Sequence, residues 1–289
     1  MKANSIALVL VTYNRVDLLH ALLQRIADSN WKYDRFVLIN NASTDSTGEV
    51  ANEFEVSLRL ELVNLNENLG HGAGIAVALD QLLIGSKPEW VVFMEDDSIP
   101  EPRYLDFLIQ RISSSNYSMI ASKGSKVGVG RRTQVSPQPD ELMEVDFGLF
   151  DGAIAKFKDL GEVGFPVRDW FMMFDDFEYC YRIRQAGFKL GVCKNPHVKI
   201  LHEGWGGGAS HSAKWRAYYQ SRNFIHFVRL HFSGLILLDY LILQGKRLIG
   251  GIFTSNGLEL TKYRLMGIRA GILGKKGRSL DITTLREIE

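Results

Sequence analysis

The first 125 residues alternate short apolar segments with segments whose apolar residues recur at helical spacing. Helices are predicted most clearly at Asp17–Asp28, Ala73–Leu83 and Tyr104–Ile112. Between them we predict strands at Ser5–Val11, Phe36–Ile39, Leu58–Val63, Trp90–Met94 and Ser118–Ser122. This strand–helix–strand order predicts an α/β fold, in which helices cover both faces of a mostly parallel sheet.

The second half of the chain is less regular. Residues 123–145 lose periodicity and gain Gly, Pro and basic residues, so we expect a mobile loop or an excursion from the sheet there. A helix is predicted at Phe177–Ala186, followed by strands at Phe188–Cys193 and Val198–Leu201. From residue 213 to about 270 the pattern is typical of helices. The sequence therefore predicts an α/β domain over residues 1–212 and a helical region over 213–289.

Composition narrows the class of protein. The chain has 289 residues, of which 46% are hydrophobic and 23% charged, so it can bury a large core. Two cysteines, Cys180 and Cys193, are too few for a disulfide framework or a four-ligand zinc site. The sequence has neither a signal peptide nor an apolar run of about 18 residues, the least that a membrane span needs. We therefore expect a cytoplasmic protein without a nucleic-acid partner.

Three acids follow directly on the fourth predicted strand. Glu95, Asp96 and Asp97 come after the apolar run Trp90–Met94, at the sheet edge where ligands of α/β proteins bind. Crowded carboxylates repel one another unless a cation neutralises them, and carboxylate oxygens suit Mg²⁺ or Mn²⁺. The alternative is an acidic surface turn in which Asp97 or Ser98 caps the next helix.

A glycine-rich turn at residues 70–74 resembles a dinucleotide-binding loop only weakly. It lacks the third glycine of that motif and does not follow the first strand. We expect Gly70 instead to let the backbone approach some group of a substrate, with the following helix N-terminus favouring an anion.

A second acidic pair, Asp175 and Asp176, follows an apolar run at the start of the helix predicted near Phe177–Ala186. One of them is expected to cap the helix, and the other to act as a general base with a pKa raised by apolar neighbours. Glu178 and Arg182 are spaced to form an i,i+4 pair on the same helix. Further along, His202 ends a predicted strand before a glycine-rich loop, where it is either structural or a metal ligand.

Together these motifs resemble the GT-A glycosyltransferases of family 2. Their order matches the family over residues 5–230, and the segment from Phe174 to Asn223 is most similar to bacterial galactofuranosyltransferases and rhamnosyltransferases. The motifs are Val-Thr-Tyr-Asn-Arg (11–15), Asn-Asn-Ala-Ser-Thr-Asp (40–45), Asn-Glu-Asn-Leu-Gly (66–70), Glu-Asp-Asp (95–97) and Asp-Asp-Phe-Glu-Tyr (175–179). Many relatives have Asp-Asn where this chain has Asn40-Asn41.

The resemblance implies a role for each motif. Asp176 would be the catalytic base, with Asp175 in reserve, and Asp97 would bind Mn²⁺ or Mg²⁺ together with His202 and Glu95. The nucleotide-sugar donor would contact Thr12, Tyr13, Asn14, Arg15, Asn41, Asn68, Gly70 and Asp96. The acceptor would contact Trp170, Glu178 and Trp205, because aromatic rings match the apolar faces of sugars.

The function implied is inverting, metal-dependent transfer of a sugar to a growing, lipid-linked bacterial surface glycan. UDP-galactofuranose is the favoured donor, and dTDP-rhamnose is the alternative. A nucleotidyltransferase would want a basic, glycine-rich first turn, which Thr12-Tyr13-Asn14-Arg15 is not. An inactive carbohydrate-binding scaffold would have no structural reason to retain Asp97, Asp176 and His202 together.

The helical region is basic, whereas the rest of the chain is acidic. Residues 201–289 contain 13 Lys and Arg against 6 Asp and Glu, whereas residues 1–200 contain 21 against 27. Amphipathic helices with excess positive charge indicate peripheral attachment to an anionic membrane surface, here the inner face of the cytoplasmic membrane. The alternative is a helical hairpin packed on the catalytic domain or on a second copy of the chain, and both interpretations can hold.

Overall fold

The computed structural model describes residues 5–200, 211–253 and 257–288. Its first half follows the predicted alternation closely. The elements are β1 (Ile6–Thr12), α1 (Val16–Asp28), β2 (Arg35–Asn40), α2 (Thr47–Leu58), β3 (Leu60–Asn64), α3 (His71–Gln81) and β4 (Trp90–Met94).

The middle of the chain contains mostly short strands. They and the helices among them are β5 (Ser98–Pro100), α4 (Tyr104–Ser113), β6 (Met119–Ala121), β7 (Gly124–Gly128), β8 (Arg131–Val135), β9 (Leu142–Val145), β10 (Phe147–Gly148), β11 (Ile154–Lys156), α5 (Phe157–Val163), α6 (Asp175–Gln185), β12 (Leu190–Cys193) and β13 (Val198–Ile200). Three helices follow in the described residues: α7 (His211–Leu230), α8 (Gly234–Ile252) and α9 (Gly257–Ile272).

The central sheet has eight strands in the order β3-β2-β1-β4-β11-β6-β12-β9. Strands β1 to β4 run parallel to one another, as do β6 and β12, whereas β11 and β9 are antiparallel to their neighbours. The prediction of a mostly parallel α/β sheet is confirmed. The parallel strands all point their carboxyl ends to one edge, and this positions the site.

Helices cover both faces of this sheet because strand residues alternate between two cores. Leu8 and Leu10 of β1 pack with α1, α2 and α4 on one face. Ala7 and Val9 pack with α3 and α6 on the other. Both pairs are fully buried, which explains why β1 is a continuous apolar run. Both cysteines are buried and free, as expected.

The prediction of a mobile loop at residues 123–145 is wrong. Strands β7 and β8 form an antiparallel hairpin there, and β9 pairs with β12 at the edge of the main sheet. These strands expose much of their surface and carry polar side chains, so they lack the apolar alternation that identifies a strand in sequence. The hairpin is anchored on helix α8, where Asp239 accepts hydrogen bonds from the Gly130 N–H at 2.7 Å and from Arg132 at 2.6 and 3.0 Å.

The C-terminal helices pack on the segment that precedes α6. Phe224, Phe227 and Val228 of α7 share a core with Trp170 and Phe174. The helices therefore pack on the α/β part of the chain, which was one of the two interpretations of this region. The predicted domain boundary at residue 212 stays a prediction. In the part of the chain that the structure describes, no helix combines the length and the apolar character that a bilayer span requires.

Candidate active site

A cavity of about 710 Å³ opens where strand β4 leaves the sheet. Glu95 and Asp97, which follow β4, line its acidic side together with Asp175 and Asp176, which begin α6. The structure thus brings together two acidic motifs that are far apart in the sequence. This is the edge of the sheet at which open α/β proteins bind ligands.

His71, the first residue of α3, lies between the two motifs. Its Nδ1 is 3.2 Å from Asp175 Oδ2, and its Nε2 is 4.0 Å from Glu95 Oε1. Burial alone would lower the pKa of His71, but the hydrogen bond to Asp175 and the charges of Asp175, Glu95 and Asp176 raise it to about 9. A protonated imidazole therefore links the acidic motifs at neutral pH. His71 was not among the residues selected from the sequence, because the turn at 70–74 was considered only for its glycines.

Asp176 has the properties of a general base. Burial and the charge of Asp175 raise the pKa of Asp176 to about 7, against the opposing effect of a 2.7 Å hydrogen bond from the Phe177 N–H. A pKa near 7 suits proton transfer at neutral pH. The expectation that one of the two aspartates occupies the cap position is not met: Phe174 occupies it without a side-chain hydrogen bond, and Asp175 contacts His71.

The segment that presents these acids has a strained backbone. Its left-handed residues are Phe171, Met173 and Phe174, with φ angles of 62°, 66° and 75°. Asn223 of α7 donates hydrogen bonds from Nδ2 to three carbonyls of this segment, at 2.7, 2.8 and 3.0 Å. Arg222 adds one to the carbonyl of Trp170 at 2.6 Å. Helix α7 therefore fixes the position of Asp175 and Asp176 in the cavity.

The carboxylates after β4 fit a divalent cation. Asp97 Oδ1 is buried and has no hydrogen-bond partner among the described residues. Burial and the charge of Asp151 raise the pKa of Glu95 to about 8, although His71 opposes this shift. Burial and the charge of Asp97 likewise raise the pKa of Asp151, a cavity residue that the sequence analysis did not select. A bound cation would relieve this crowding of negative charge.

The predicted ligand set is only partly visible. Over residues 5–200, 211–253 and 257–288, no three His, Cys, Asp or Glu side chains are close enough to form a complete metal site. His202, which was predicted to complete the ligands of Asp97 and Glu95, lies outside the described residues.

Thr12 and Asp96 join the ends of strands β1 and β4. The Thr12 hydroxyl donates to Asp96 Oδ2 at 2.7 Å, and Arg15 Nε lies 4.0 Å from Asp96 Oδ1. Burial raises the pKa of Asp96, whereas the hydrogen bond from Thr12 and the charge of Arg15 act against this rise. Tyr13, which follows Thr12 in the sequence, is half-buried. Three predicted donor contacts, Thr12, Arg15 and Asp96, are therefore adjacent in space.

Three asparagines that were predicted to contact the donor form hydrogen bonds with the backbone of nearby loops. Asn41 is buried, and its Oδ1 accepts from the Leu69 N–H at 2.9 Å. Asn68 Oδ1 accepts from the Gly70 N–H at 2.9 Å, and the exposed Asn14 accepts from the N–H of residue 44 at 2.8 Å. The side-chain oxygens of these asparagines are thus used to shape the turns around the site.

Gly70 approaches protein rather than an open ligand site, which corrects the expectation for this turn. A Cβ on Gly70, whose φ is 88°, would lie 1.7 Å from the carbonyl oxygen of Phe171. A Cβ on Gly72 would lie 2.6 Å from Cβ of Asp175. The glycines therefore let α3 pack closely against the segment that leads to Asp175 and Asp176.

Two predicted acceptor contacts are buried away from the cavity. The ring of Trp170 is 3% exposed and stacks on His226. Glu178 is fully buried and pairs with Arg182 at 2.7 Å and with His231 at 2.9 Å. The i,i+4 pair expected on this helix is therefore observed. Trp205 lies outside the described residues. Trp215 of α7 lines the cavity instead, a position that only the helical packing reveals.

Comparison with known proteins gives one family and several related folds. Residues 7–181 match the model of the family described as "Glycosyl transferase family 2". A Bacillus subtilis (strain 168) protein named "Putative teichuronic acid biosynthesis glycosyltransferase TuaG" is 23% identical over 128 residues, which cover 42% of this chain and 49% of that protein. The chain thus matches about half the length of this curated relative.

Two solved structures share the fold over most of the chain. The mannosyltransferase PcManGT of Pyrobaculum calidifontis, in complex with GDP-Man and Mn²⁺, aligns with a TM-score of 0.58 and 15% identity over 95% of this chain and 89% of its own. S. aureus TarS 1–349, in complex with UDP-GlcNAc, aligns with a TM-score of 0.54 and 15% identity over 94% of this chain and 92% of its own. These likenesses confirm the predicted GT-A fold.

Proposed function

Because the chain belongs to glycosyl transferase family 2, we propose that it moves a sugar from a nucleotide diphosphate to an acceptor hydroxyl. The observation that carries this proposal is the position of Asp176, a carboxylate with a pKa near 7, in the same cavity as Asp97 and Glu95. Asp176 takes the proton of the attacking hydroxyl. One base opposite one leaving group implies a single displacement with inversion at the anomeric carbon.

A divalent cation belongs to the proposed site. Asp97 and Glu95 would hold it, together with His202 outside the described residues, and the unpartnered Oδ1 of Asp97 supports this assignment. When bound, such a cation neutralises the charge that develops on a leaving diphosphate. PcManGT was solved with Mn²⁺, which supports Mn²⁺ as the first cation to test.

The nucleotide is proposed to lie at the ends of β1 and β4, against Thr12, Tyr13, Arg15 and Asp96. UDP-galactofuranose is the proposed donor and dTDP-rhamnose its alternative, a choice that rests on the sequence resemblance described above. The neighbours were solved with GDP-Man and UDP-GlcNAc, which supports a nucleotide-sugar donor as a class.

The acceptor is proposed to be a hydroxyl of a bacterial surface glycan, built at the inner face of the cytoplasmic membrane. The related TuaG protein is named for the biosynthesis of teichuronic acid, which supports a glycan as the acceptor. An exposed apolar stripe on α8 supports attachment to an anionic bilayer, because it lies in the part of the chain with 13 basic against 6 acidic residues. The stripe consists of Leu235, Leu238, Leu241 and Ile249, and Phe253 continues it at the end of the helix.

A donor screen tests this function. The purified protein is incubated with UDP-galactofuranose, dTDP-rhamnose and common UDP-hexoses, with Mn²⁺, Mg²⁺ or EDTA, and the released nucleotide is measured. We expect release from one donor, dependent on the cation.

Asp97→Ala is expected to weaken Mn²⁺-dependent UDP binding in calorimetry, and an unchanged affinity would remove Asp97 from the metal site.

A further inference from the structure

Three of the four guanidinium groups that line the cavity come from the hairpin and from helices α8 and α9. They belong to Arg132 of β8, Arg247 of α8 and Arg264 of α9, and we call them the arginine cluster. None of the three was selected from the sequence, because they come from elements that only the tertiary structure brings together. Sugar transfer as proposed above assigns no task to them.

The cluster carries more positive charge than its surroundings neutralise. Arg132 pairs with Asp239, at 2.6 Å between Nη2 and Oδ2. Within the described ranges, no carboxylate lies within 4.0 Å of Arg247 or Arg264. Nη1 of Arg247 is buried and has no hydrogen-bond partner there. Three cations thus face one carboxylate, and an excess of two positive charges remains.

This excess has a cost that a ligand would remove. Burial and the charges of Arg264 and Arg132 together lower the pKa of Arg247 to about 10, against the opposing effect of Asp239. A buried, incompletely paired charge is unfavourable for folding, so an anionic ligand would stabilise it. Guanidinium groups bind phosphate oxygens through two parallel hydrogen bonds, which makes phosphate the best match for such a cluster.

The cluster lies on the side of the cavity that carries the base. The guanidinium of Arg132 is 5.0 Å from the ring centre of Phe177, and the N–H of Phe177 binds Asp176. The proposed donor contacts Thr12 and Asp96 are at the ends of β1 and β4 instead. A group bound by the cluster would therefore be near the attacking hydroxyl.

We infer that the arginine cluster binds a phosphate or diphosphate ester carried by the acceptor. This inference rests on the proposed function, since it names the acceptor of the same site. A diphosphate ester neutralises the excess of two charges, whereas a single carboxylate would neutralise half of it. The ester can belong to a lipid carrier or to a phosphate on a soluble glycan, and the experiment separates these sources.

Calorimetry with inorganic pyrophosphate in EDTA tests the cluster without the metal site. We expect the full chain to bind pyrophosphate, and Arg247→Met and Arg264→Met to weaken binding at least about tenfold, as expected for lost charge-assisted hydrogen bonds. Arg269→Met on the same helix as Arg264 is the matched control, because Arg269 has a 70% exposed side chain, and its affinity should stay within about twofold. Equal affinity in all four proteins overturns the inference.

Two further measurements distinguish loss of phosphate binding from misfolding and from loss of donor binding. Arg247→Lys keeps the charge but loses the planar fork, so it should fold and bind pyrophosphate with intermediate affinity. UDP binding in the presence of Mn²⁺ should be the same in Arg247→Met and the unmodified protein. An equal loss of UDP binding would assign the cluster to the donor diphosphate and overturn the inference. None of these readouts requires turnover, so they stand apart from the donor screen.

The source of the phosphate is determined with two more ligands. Farnesyl diphosphate that binds at least about tenfold tighter than pyrophosphate supports a lipid-linked acceptor, because its chain would contact the apolar wall of the cavity. Equal affinities support a phosphate on a soluble glycan. Glucuronate that binds tighter than pyrophosphate would show a carboxylate site and contradict the inference.

Discussion

Asp176 shows how much of the site depends on the surroundings of one residue. Its carboxyl is buried, it neighbours Asp175, and its pKa lies near 7 rather than at the ordinary 3.8. The pKa of His71 is likewise shifted by its neighbours, since Asp175 and Glu95 raise it. The chemistry of both side chains comes from the low-dielectric cavity and from each other's charge, not from their identity alone.

Asp176→Asn is expected to reduce the rate of sugar transfer by about 10²- to 10⁴-fold, the usual contribution of a general base. The amide is nearly isosteric but cannot accept a proton, so nucleotide binding should survive. Steady-state rates and calorimetry with the nucleotide check both expectations. Turnover close to that of the unmodified protein would show that another group is the base.

The pH dependence of kcat/KM is expected to follow the ionisation of Asp176. The base must be deprotonated to act, so activity should fall as the pH drops through about 7. A pH–rate profile with saturating cation checks this limb. A midpoint near the ordinary value of 3.8 would contradict the raised pKa.

At the scale of elements, the site depends on close contacts between helices. Helices α7 and α9 approach so closely that a Cβ on Gly267 would lie 2.1 Å from the carbonyl oxygen of Tyr218. Helix α7 in turn holds the strained segment before α6 through Asn223. A change at the contact between α7 and α9 is therefore expected to shift the segment before Asp176 by way of α7.

A pair of glycine substitutions tests this contact. Gly267→Ala is expected to destabilise the protein by about 1–3 kcal/mol, because the methyl group meets backbone that cannot move aside. Gly245→Ala in α8 is the control: nothing lies within 4 Å of its Cβ position, so helix propensity should make it neutral or stabilising by up to about 1 kcal/mol. Urea unfolding measures both, and similar effects would contradict the close packing.

Sequence reasoning succeeded for elements with a strong apolar period and failed where packing replaced that period. The strand Trp90–Met94 was located correctly because all five of its residues are buried. The hairpin of β7 and β8 was missed because its exposed strands are polar and are stabilised by Asp239 of α8, a contact across the fold.

At the scale of the whole molecule, the C-terminal helices complete the cavity. Trp215 of α7, Arg247 of α8 and Arg264 of α9 line it. On α8, the exposed apolar stripe lies on the helix face away from Arg247. One helix therefore offers one face to the cavity and another to the surroundings.

The exposed stripe is expected to attach the protein to anionic membranes. The full chain should float with phosphatidylglycerol liposomes in a density gradient and much less with phosphatidylcholine liposomes. The double substitution Leu238→Glu and Leu241→Glu should abolish flotation, since both residues are exposed and lie outside the packed core. Flotation that is unchanged in this variant would favour a purely structural role for α8.

The sequence by itself determined the α/β sheet, the acids at the ends of its strands and the family. It could do so because apolar periodicity and acidic motifs are local properties of the chain. Only the tertiary structure decided which acids meet, that His71 links them, that Gly70 contacts Phe171, and that three arginines share one wall of the cavity. These are contacts between distant segments, and their energies depend on burial and on neighbouring charge, which have no local signature in a sequence.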